Sequence, residues 1–534
     1  LYAWITTAYL ITSTVLVPIY GKLSDTFGRK PILLAAIFVF LVGSACCGLS
    51  NSALSLILSR ALQGVGSAGL FTTAFAVVAD LFPPAERGKY QGIFGGAFGL
   101  ASVLGPLVGG FIADRLGWHW VFFVNLPVGA VAVAFVLLRM PALGQRRARG
   151  SLDVGGALAL LLAVVPVLLA LTLGRSGDAP ARGGYPWSSW PIAALFAVGL
   201  GGAAAFVAIE RRARDPLLDL GLFRDRTFAI GNVATFVLGM TFLAAIVFLP
   251  LFMVNVVGLS ATHAGLTTTP LTFGIVAGNI ASGQIVARTG RYKPTMLAAL
   301  VLLIGAFAVM GFTLSPTSTQ GEVTLKMAAV GLGLGPTVPL YTLAIQNSVP
   351  PQRTGVATAS ATFFRAMGST IGVTLMGTVF AGALAARLEA ELTPLLRDAP
   401  LPVRDALAGA NAAPAVGHEG AESARLGFDV QGARRALTEH FELRRAQLTS
   451  DLTSGSERDR ALARAALAAL ERERHDALTA VERLDRGAKT ALTSAIERVY
   501  QLCILIALVG LLFTRALPEL PLRRRPPPPA QGPD

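Results

Sequence analysis

Thirteen long apolar runs constrain this chain more than any other feature. They occupy approximately residues 1–20, 31–50, 54–80, 91–113, 120–139, 153–173, 191–210, 228–256, 264–287, 294–314, 322–347, 354–385 and 496–516. A bilayer core of about 30 Å needs about 20 apolar residues per helix, and each run is long enough. Their unbroken length points to helices rather than barrel strands, because a helix satisfies its own backbone hydrogen bonds in lipid. Of the 534 residues 53% are apolar and 14% are charged, against about 25% charged in a soluble domain. That excludes an ordinary water-soluble enzyme, a disordered chain and a nucleic-acid module, although the net charge is +14. Cys46, Cys47 and Cys503 all lie in apolar runs, so no disulfide framework is expected.

The basic residues fall on one side. Loops 21–30, 81–90, 139–152, 210–227, 288–294, 348–354 and 515–534 hold 22 lysines and arginines. The short loops on the other side hold about 4, including Arg115, Arg175 and Arg182. The positive-inside rule makes the first set cytoplasmic. A multi-pass plasma (inner) membrane protein follows, with residue 1 on the outer side. The tail of Arg523, Arg524, Arg525 and Pro526 to Pro529 ends inside. Leu1 opens within an apolar helix, so a further upstream span is expected rather than an external N-terminus.

Two stretches repeat. Gly21 and Gly28-Arg29 match Gly283 and Gly290-Arg291 at an offset of 262. At an offset of 267, Gly64, Gly66, Pro83-Pro84, Gly88 and Gly105 match Gly331, Gly333, Pro350-Pro351, Gly355 and Gly372. A duplicated bundle has its solute site near the midplane between the halves. Charge is not repeated: Asp25 matches Ala287, Arg60 matches Met327 and Asp80 matches Asn347. Charge chemistry is therefore expected in the first half only.

In the first basic loop, Gly21 and Gly28 permit a tight turn with close helix approach. Asp25 can pair with Arg29 and accept hydrogen bonds from a neighbouring helix N-terminus. The expectation is a latch that holds one access state, with Asp80 as its third member; the alternative is a plain interfacial turn. Arg60 lies within a span, where charge costs at least about 2.5–3.5 kcal/mol, so it should face the bundle interior or a wet cavity. Outward snorkelling is the alternative. Arg365 poses the same choice without a motif. Outside residues 386–495 all 14 acidic residues lie in loops, tails or span ends, so no carboxylate sits mid-membrane. The fourth run carries Gly92, Gly95, Gly96, Gly99, Gly105, Gly109 and Gly110, with Pro106 expected to bend it. A tightly packed gate limiting proton leak, or static packing, would use such glycines. Phe71, Phe75, Phe236, Met240, Phe242, Phe248 and Phe273, with the polar Gln63 and Asn125, are candidates to line a permissive cavity for lipophilic cations.

Gly64 to Gly69 fits G-x-G-x-x-G literally but lies inside a span, and His418-Glu419 lacks a second histidine. No catalytic constellation, cofactor or metal site is expected.

Four segments carry a family resemblance. Gly21-Lys22-Leu23-Ser24-Asp25-Thr26-Phe27-Gly28-Arg29-Lys30 resembles the G-x-L-x-D-x-x-G-R-K motif of the major facilitator superfamily. Leu56 to Gly66 resembles its fourth-helix motif. Gly105-Pro106-Leu107-Val108-Gly109-Gly110 resembles G-P-x-x-G-G, associated with antiporters. Trp118 to Gly129 resembles the W-R-W-x-F-x-x-N-x-P-x-G segment of the 14-helix drug–proton antiporter group, with His119 where arginine is usual. The resemblance covers 1–385 and 496–516. It implies an all-α polytopic major facilitator fold of two pseudo-symmetric helix bundles plus two linking helices. Its parts would be an N-terminal bundle (1–139), linking helices and loops (140–227), a C-terminal bundle (228–385), an extracytoplasmic helical insert (386–495), a last span (496–517) and a basic, Pro-rich tail (518–534). It further implies that the upstream span is the family's first helix, whose usual aspartate would answer Arg60. The function implied is efflux of amphiphilic drugs or lipophilic compounds, driven by protons through alternating access. The partners would be lipid, small amphiphilic substrates and protons. Alternatives are an exporter of one endogenous metabolite or lipid, and a non-transporting receptor or scaffold.

Residues 386–495 hold 16 basic and 17 acidic residues. Pro394, Pro400, Pro402 and Pro414 predict an irregular first part. From about 422 the Ala, Leu, Arg and Glu content favours helix. Ser454-Gly455-Ser456 should break it, with Ser456 and Asp459 as an N-cap pattern. Leu462, Leu470, Leu478, Val481 and Leu484 form a narrow apolar stripe. An outward helical hairpin is expected, its second helix running toward the last span, with Gly487 as a candidate interruption. It is a solvated spacer or a docking element for an envelope adaptor or lipid.

Overall fold

A computed structural model describes residues 2–522 apart from 142–152, 176–184, 260–268, 351–352, 406–429, 455–456 and scattered positions between 84 and 114. Among the described residues, 11 helices are long and apolar enough to cross a membrane, or 12 if one bent pair counts as a span. The expected span at 91–113 falls partly on the omitted positions, Pro106 among them, and the N-cap pattern at Ser456 also lies outside the described residues.

The first half comprises α1 (Tyr2–Val15), α2 (Val17–Phe27), α3 (Arg29–Gly48), α4 (Ala53–Leu81), the short α5 (Trp120–Phe123) and α6 (Asn125–Arg139). α1 and α2 form the bent pair, at 43°. Pro18 in the first turn of α2 lacks the amide that would continue α1. The expected turn at 21–30 is mostly helix: Gly21 belongs to α2, and the turn is made at Gly28, with φ +93°. Gly21 instead lets α2 lie against the backbone of Gly355 and the side chain of Ala359.

The linking pair, α7 (Val154–Leu173) and α8 (Trp190–Glu210), packs as a hairpin, closed by two-residue strands at Gly174–Arg175 and Tyr185–Pro186. The second half comprises α9 (Arg226–Asn255), α10 (Thr269–Thr289), α11 (Lys293–Thr313), α12 (Gln320–Leu334), α13 (Thr337–Asn347), α14 (Thr354–Arg397) and α16 (Glu457–Ala516). The expected single span 322–347 is broken at Gly335-Pro336, where proline has no amide to donate.

Apolar burial alone does not hold helices together in lipid, so close packing of small residues must. The repeat uses the same glycines for this. Gly64 backs onto α1 at Tyr9, and Gly331 onto α10, the helix that matches α1 in the repeat, at Leu271 to Ile275. Gly66 and Gly333 each meet the next helix, at Phe40 and at Leu303. The pattern fails at one pair. Gly372 lies against the backbone of Met240, whereas no atom lies within 4 Å of a Cβ position at Gly105, Gly109 or Gly110 among the described residues. α9, which supplies Met240, has no counterpart among the described residues of the first half.

The insert is more regular than its sequence. α14 runs 44 residues straight through Pro394, and α16 runs 60 residues through Gly487 into the membrane. With α15 (Val430–Ser454) they make three packed helices rather than two, around Leu392, Val403, Phe441, Leu470, Val481 and Leu484. Leu462 leaves the stripe at 65% exposure and Ala477 joins it. Among the described residues the three cysteines are free.

Candidate functional site

The basic side of the molecule is closed by charge. Arg29 begins α3 just after the Gly28 turn, which aims its side chain between α2 and α4. Its guanidinium is 3% exposed. It meets Asp25 Oδ1 at 2.5 Å, donates from Nε to Asp80 Oδ2 at 2.7 Å and from Nη1 to Ser24 Oγ at 2.6 Å. Asp25 Oδ2 accepts the amide of Val356 at 2.9 Å. Val356 lies in the first turn of α14, where unsatisfied amides carry partial positive charge. Asp25, Arg29 and Asp80 thus form one network in the first half that hooks a helix of the second. A Cβ at Gly355 would lie 2.6 Å from Asp25 Cγ, so that position must stay bare for the approach. Apolar contact backs the hook: Val15, Leu168, Val356 and Phe363 belong to one buried cluster spanning both halves and α7.

The segment between α8 and α9 is a second tie across the same seam. Lys22 of α2 pairs with Asp215, and Arg353, at the start of α14, pairs with Asp219. Glu210, buried at the end of α8, accepts the amides of Leu217 at 3.2 Å and Leu218 at 3.4 Å. Each half therefore grips the same short segment through one basic side chain.

Arg60 faces the interior of the first half. It donates from Nη1 to Gln63 Oε1 at 2.6 Å and from Nε to the Ile5 carbonyl at 3.4 Å. Its Cζ stands 4.2 Å from the Tyr9 ring centroid. Gln63 Nε2 and Asn125 Nδ2 each donate to Ser44 Oγ at 3.0 Å, and Ser44 donates to the Phe122 carbonyl at 2.9 Å. Gln63 is accordingly not cavity lining, while Asn125 is half-buried beside it. Gln63 is 2% exposed and serves as the acceptor that a desolvated guanidinium requires. Among the described residues no carboxylate pairs with Arg60.

The remaining candidates scatter. Phe71 is exposed and stacks on buried Phe75, which stacks on Phe94, each pair with centroids 5.4 Å apart. Phe236 and Met240 are half-buried on α9, and Phe273 is exposed on α10. Phe248 does not line a cavity: at 5% exposure it packs on Phe380, with Phe242 against the same core. Arg365 is half-buried midway along the membrane part of α14 and has no hydrogen bond or ion pair among the described residues. Charge is therefore not confined to the first half; Lys326 and Glu322 also pair there, at 2.5 Å. Sequence reasoning missed Tyr9, Ser44, Glu210 and both ties to the 211–225 segment. A lone carboxylate closing an apolar run was the available signal for Glu210.

The Major Facilitator Superfamily profile matches residues 1–373. The chain belongs to the major facilitator superfamily. Among its relatives, "Multidrug transporter protein MdtP" of Bacillus subtilis (strain 168) is 38% identical over 397 residues, covering 74% of this chain and 72% of that protein. "Multidrug resistance protein 3" of the same organism is 37% identical over 378 residues, covering 71% and 72%. The fold is similar to that of the human organic anion transporter MFSD10 (TM-score 0.50, 19% identity, 71% of this chain and 77% of that one). It is also similar to the proton:xylose symporter XylE (TM-score 0.50, 17% identity, 72% and 80%). This major facilitator is an all-α, multi-pass membrane transporter and not an enzyme, in contact with lipid and with small substrates. The profile match ends before the insert.

Proposed function

We propose that this major facilitator exports amphiphilic, lipophilic compounds across the plasma membrane in exchange for protons, by alternating access. The observation that carries the reading is the buried network from Asp80 through Arg29 and Asp25 to the Val356 amide. It joins the halves at one end of the seam, as a state closed on the basic side requires. Opening that side breaks a desolvated charge network, and closing it restores one, so the two states lie close in free energy. The basic loops make that side cytoplasmic, and the C-terminus lies there too. The similarity to a multidrug transporter and a multidrug resistance protein of Bacillus subtilis supports drugs as the substrate class.

Arg60 is the coupling residue in this reading. Its charge is held by Gln63, the Ile5 carbonyl and the Tyr9 ring. These neutral partners leave it free to answer an acid whose proton comes and goes. The proton gradient is the energy source, and no cofactor takes part. The test is dye efflux from cells expressing the full chain, with and without an uncoupler. Efflux is expected to stop on uncoupling and to fall at least about tenfold in Arg60→Ala at unchanged membrane level. Uncoupler-insensitive efflux would refute proton drive, and a silent Arg60→Ala would remove Arg60 from the mechanism.

A further inference from the structure

The segment between α8 and α9 engages its acids and leaves its arginines unpaired. Glu210 accepts the amides of Leu217 and Leu218, Asp215 pairs with Lys22, and Asp219 pairs with Arg353. Asp225 caps α9 by accepting the Phe228 amide at 2.8 Å. Arg211, Arg212, Arg214, Arg224 and Arg226 are all exposed, and none makes a side-chain hydrogen bond or ion pair among the described residues. Leu217 and Leu218 are buried, and Leu222 and Phe223 pack on the apolar cluster at the seam. The stretch is thus held from its inner side and carries its positive charge on the outer one.

That outer side lies at headgroup level. α8 has 21 residues, about 32 Å of helix, close to a bilayer core of about 30 Å. It packs on α7, while its Val198, Leu200 and Val207 are exposed and border lipid. Trp190, its first residue, is exposed where an interfacial aromatic belongs. Arg211, Arg212 and Arg214 follow directly on its last residue, and Arg226 opens α9. The guanidiniums therefore stand beside two span ends, on the face that the basic loops make cytoplasmic.

We propose that residues 211–226 dock anionic phospholipid headgroups of that leaflet, and that the bound headgroups steady the tie between the halves. A guanidinium fork takes two phosphate oxygens at once. Each arginine near an anionic surface adds attraction that fades within a Debye length. A lipid is favoured over a soluble phosphate because acyl chains have the exposed apolar side of α8 to lie along. Lys22 of α2 and Arg353 at the start of α14 grip the same segment from within. A headgroup on the outer side restrains the stretch that both halves hold. The amides of Leu217 and Leu218, bonded to Glu210, register that restraint.

The experiment titrates the full chain in detergent with dioctanoyl phosphatidylglycerol or dioctanoyl phosphatidylcholine and counts bound lipid by native mass spectrometry. Phosphatidylglycerol is expected to bind at least about tenfold more tightly, the scale of a few arginines near an anionic headgroup. Combining Arg211→Gln, Arg212→Gln and Arg214→Gln should erase most of that preference, with unchanged phosphatidylcholine binding as the sign that the chain is folded. Combining Arg288→Gln, Arg291→Gln and Lys293→Gln removes equal charge from the same face and should keep the preference within about twofold. A wild type without preference, an intact preference in the first triple variant, or equal losses in both variants overturns the proposal. Displacement of the lipid by glycerol 3-phosphate assigns the site to a soluble phosphate and overturns it as a lipid site. In phosphatidylcholine nanodiscs, added phosphatidylglycerol should slow amide exchange at 217–218 by about twofold or more in the wild type, and not in the first triple variant. Binding without that protection overturns the role of the lipid in the tie.

Discussion

Residues 21–30 with Asp80 and residues 283–292 with Asn347 occupy matching places in the two halves, at the same side of the molecule. Each contains the end of a helix and the glycine of positive φ that follows it, Gly28 at +93° and Gly290 at +70°. The first region reaches across the seam with a charged network to the Val356 amide. The second stays within its own half and uses neutral bonds. The Tyr292 hydroxyl donates to the Pro518 carbonyl at 3.2 Å and accepts the Leu520 amide at 2.8 Å, and Asn347 Nδ2 donates to the Pro521 carbonyl at 3.3 Å. Backbone geometry was kept in both copies, while the polar chemistry followed the contact. A contact that must break and re-form gains from charges whose desolvation nearly offsets their attraction. A permanent anchor needs only satisfied hydrogen bonds.

The largest expected difference is between Arg29→Ala and Arg291→Ala. The first leaves two carboxylates facing each other in a buried site, a loss of about 3–5 kcal/mol to the closed state. Efflux should fall at least about tenfold. Arg291 is exposed, and its removal should leave efflux within about twofold. Equal losses would end the comparison. Next is the pair of turns. Gly28 has ψ 156° with its positive φ, a region closed to side chains, so Gly28→Ala should cost about 1–3 kcal/mol. Gly290→Ala, in the left-handed region, should cost about 1–2 kcal/mol, read as the smaller fall in thermal unfolding temperature in detergent. Tyr292→Phe removes both neutral bonds, worth about 0.5–1.5 kcal/mol each. Hydrogen exchange should quicken at 517–522 while efflux persists; lost efflux would mean that this anchor, too, belongs to the switch. The smallest effect is Asp219→Asn. The Arg353–Asp219 pair is part-exposed, at 41% and 32%, so about 0–1 kcal/mol is at stake. Added salt should shift the wild-type efflux rate slightly and the variant not at all.

Much of the charged network was legible. Asp25, Arg29 and Asp80 are charges beside span ends, inside a repeat whose other copy drops two of the three. Their target was not, because Val356 takes part through a backbone amide and any residue type supplies one. Gln63 was misread because a polar side chain in a span serves an arginine as readily as a solute, and only burial separates the roles. Lys22 and Asp215 lie 193 residues apart, and no local pattern joins them. Pro394 and Gly487 are helix breakers by propensity, at about 3 and 1 kcal/mol. Packing of Leu392, Val481 and Leu484 overrides both. Most span positions, by contrast, followed from length and apolarity, and among the described residues the structure moved their ends and broke 322–347 at Gly335-Pro336.

The uninterrupted course of α16 has a mechanical consequence. From Glu457 to Ala495 it stands clear of the apolar span, a rod of roughly 60 Å at 1.5 Å per residue. The same rod continues without a hinge to Ala516. A tilt of about 10° at its membrane end would swing the tip by roughly 10 Å. The insert is therefore a pointer that magnifies the posture of the second half, and a spin label near Glu457 would read small internal motions as large displacements.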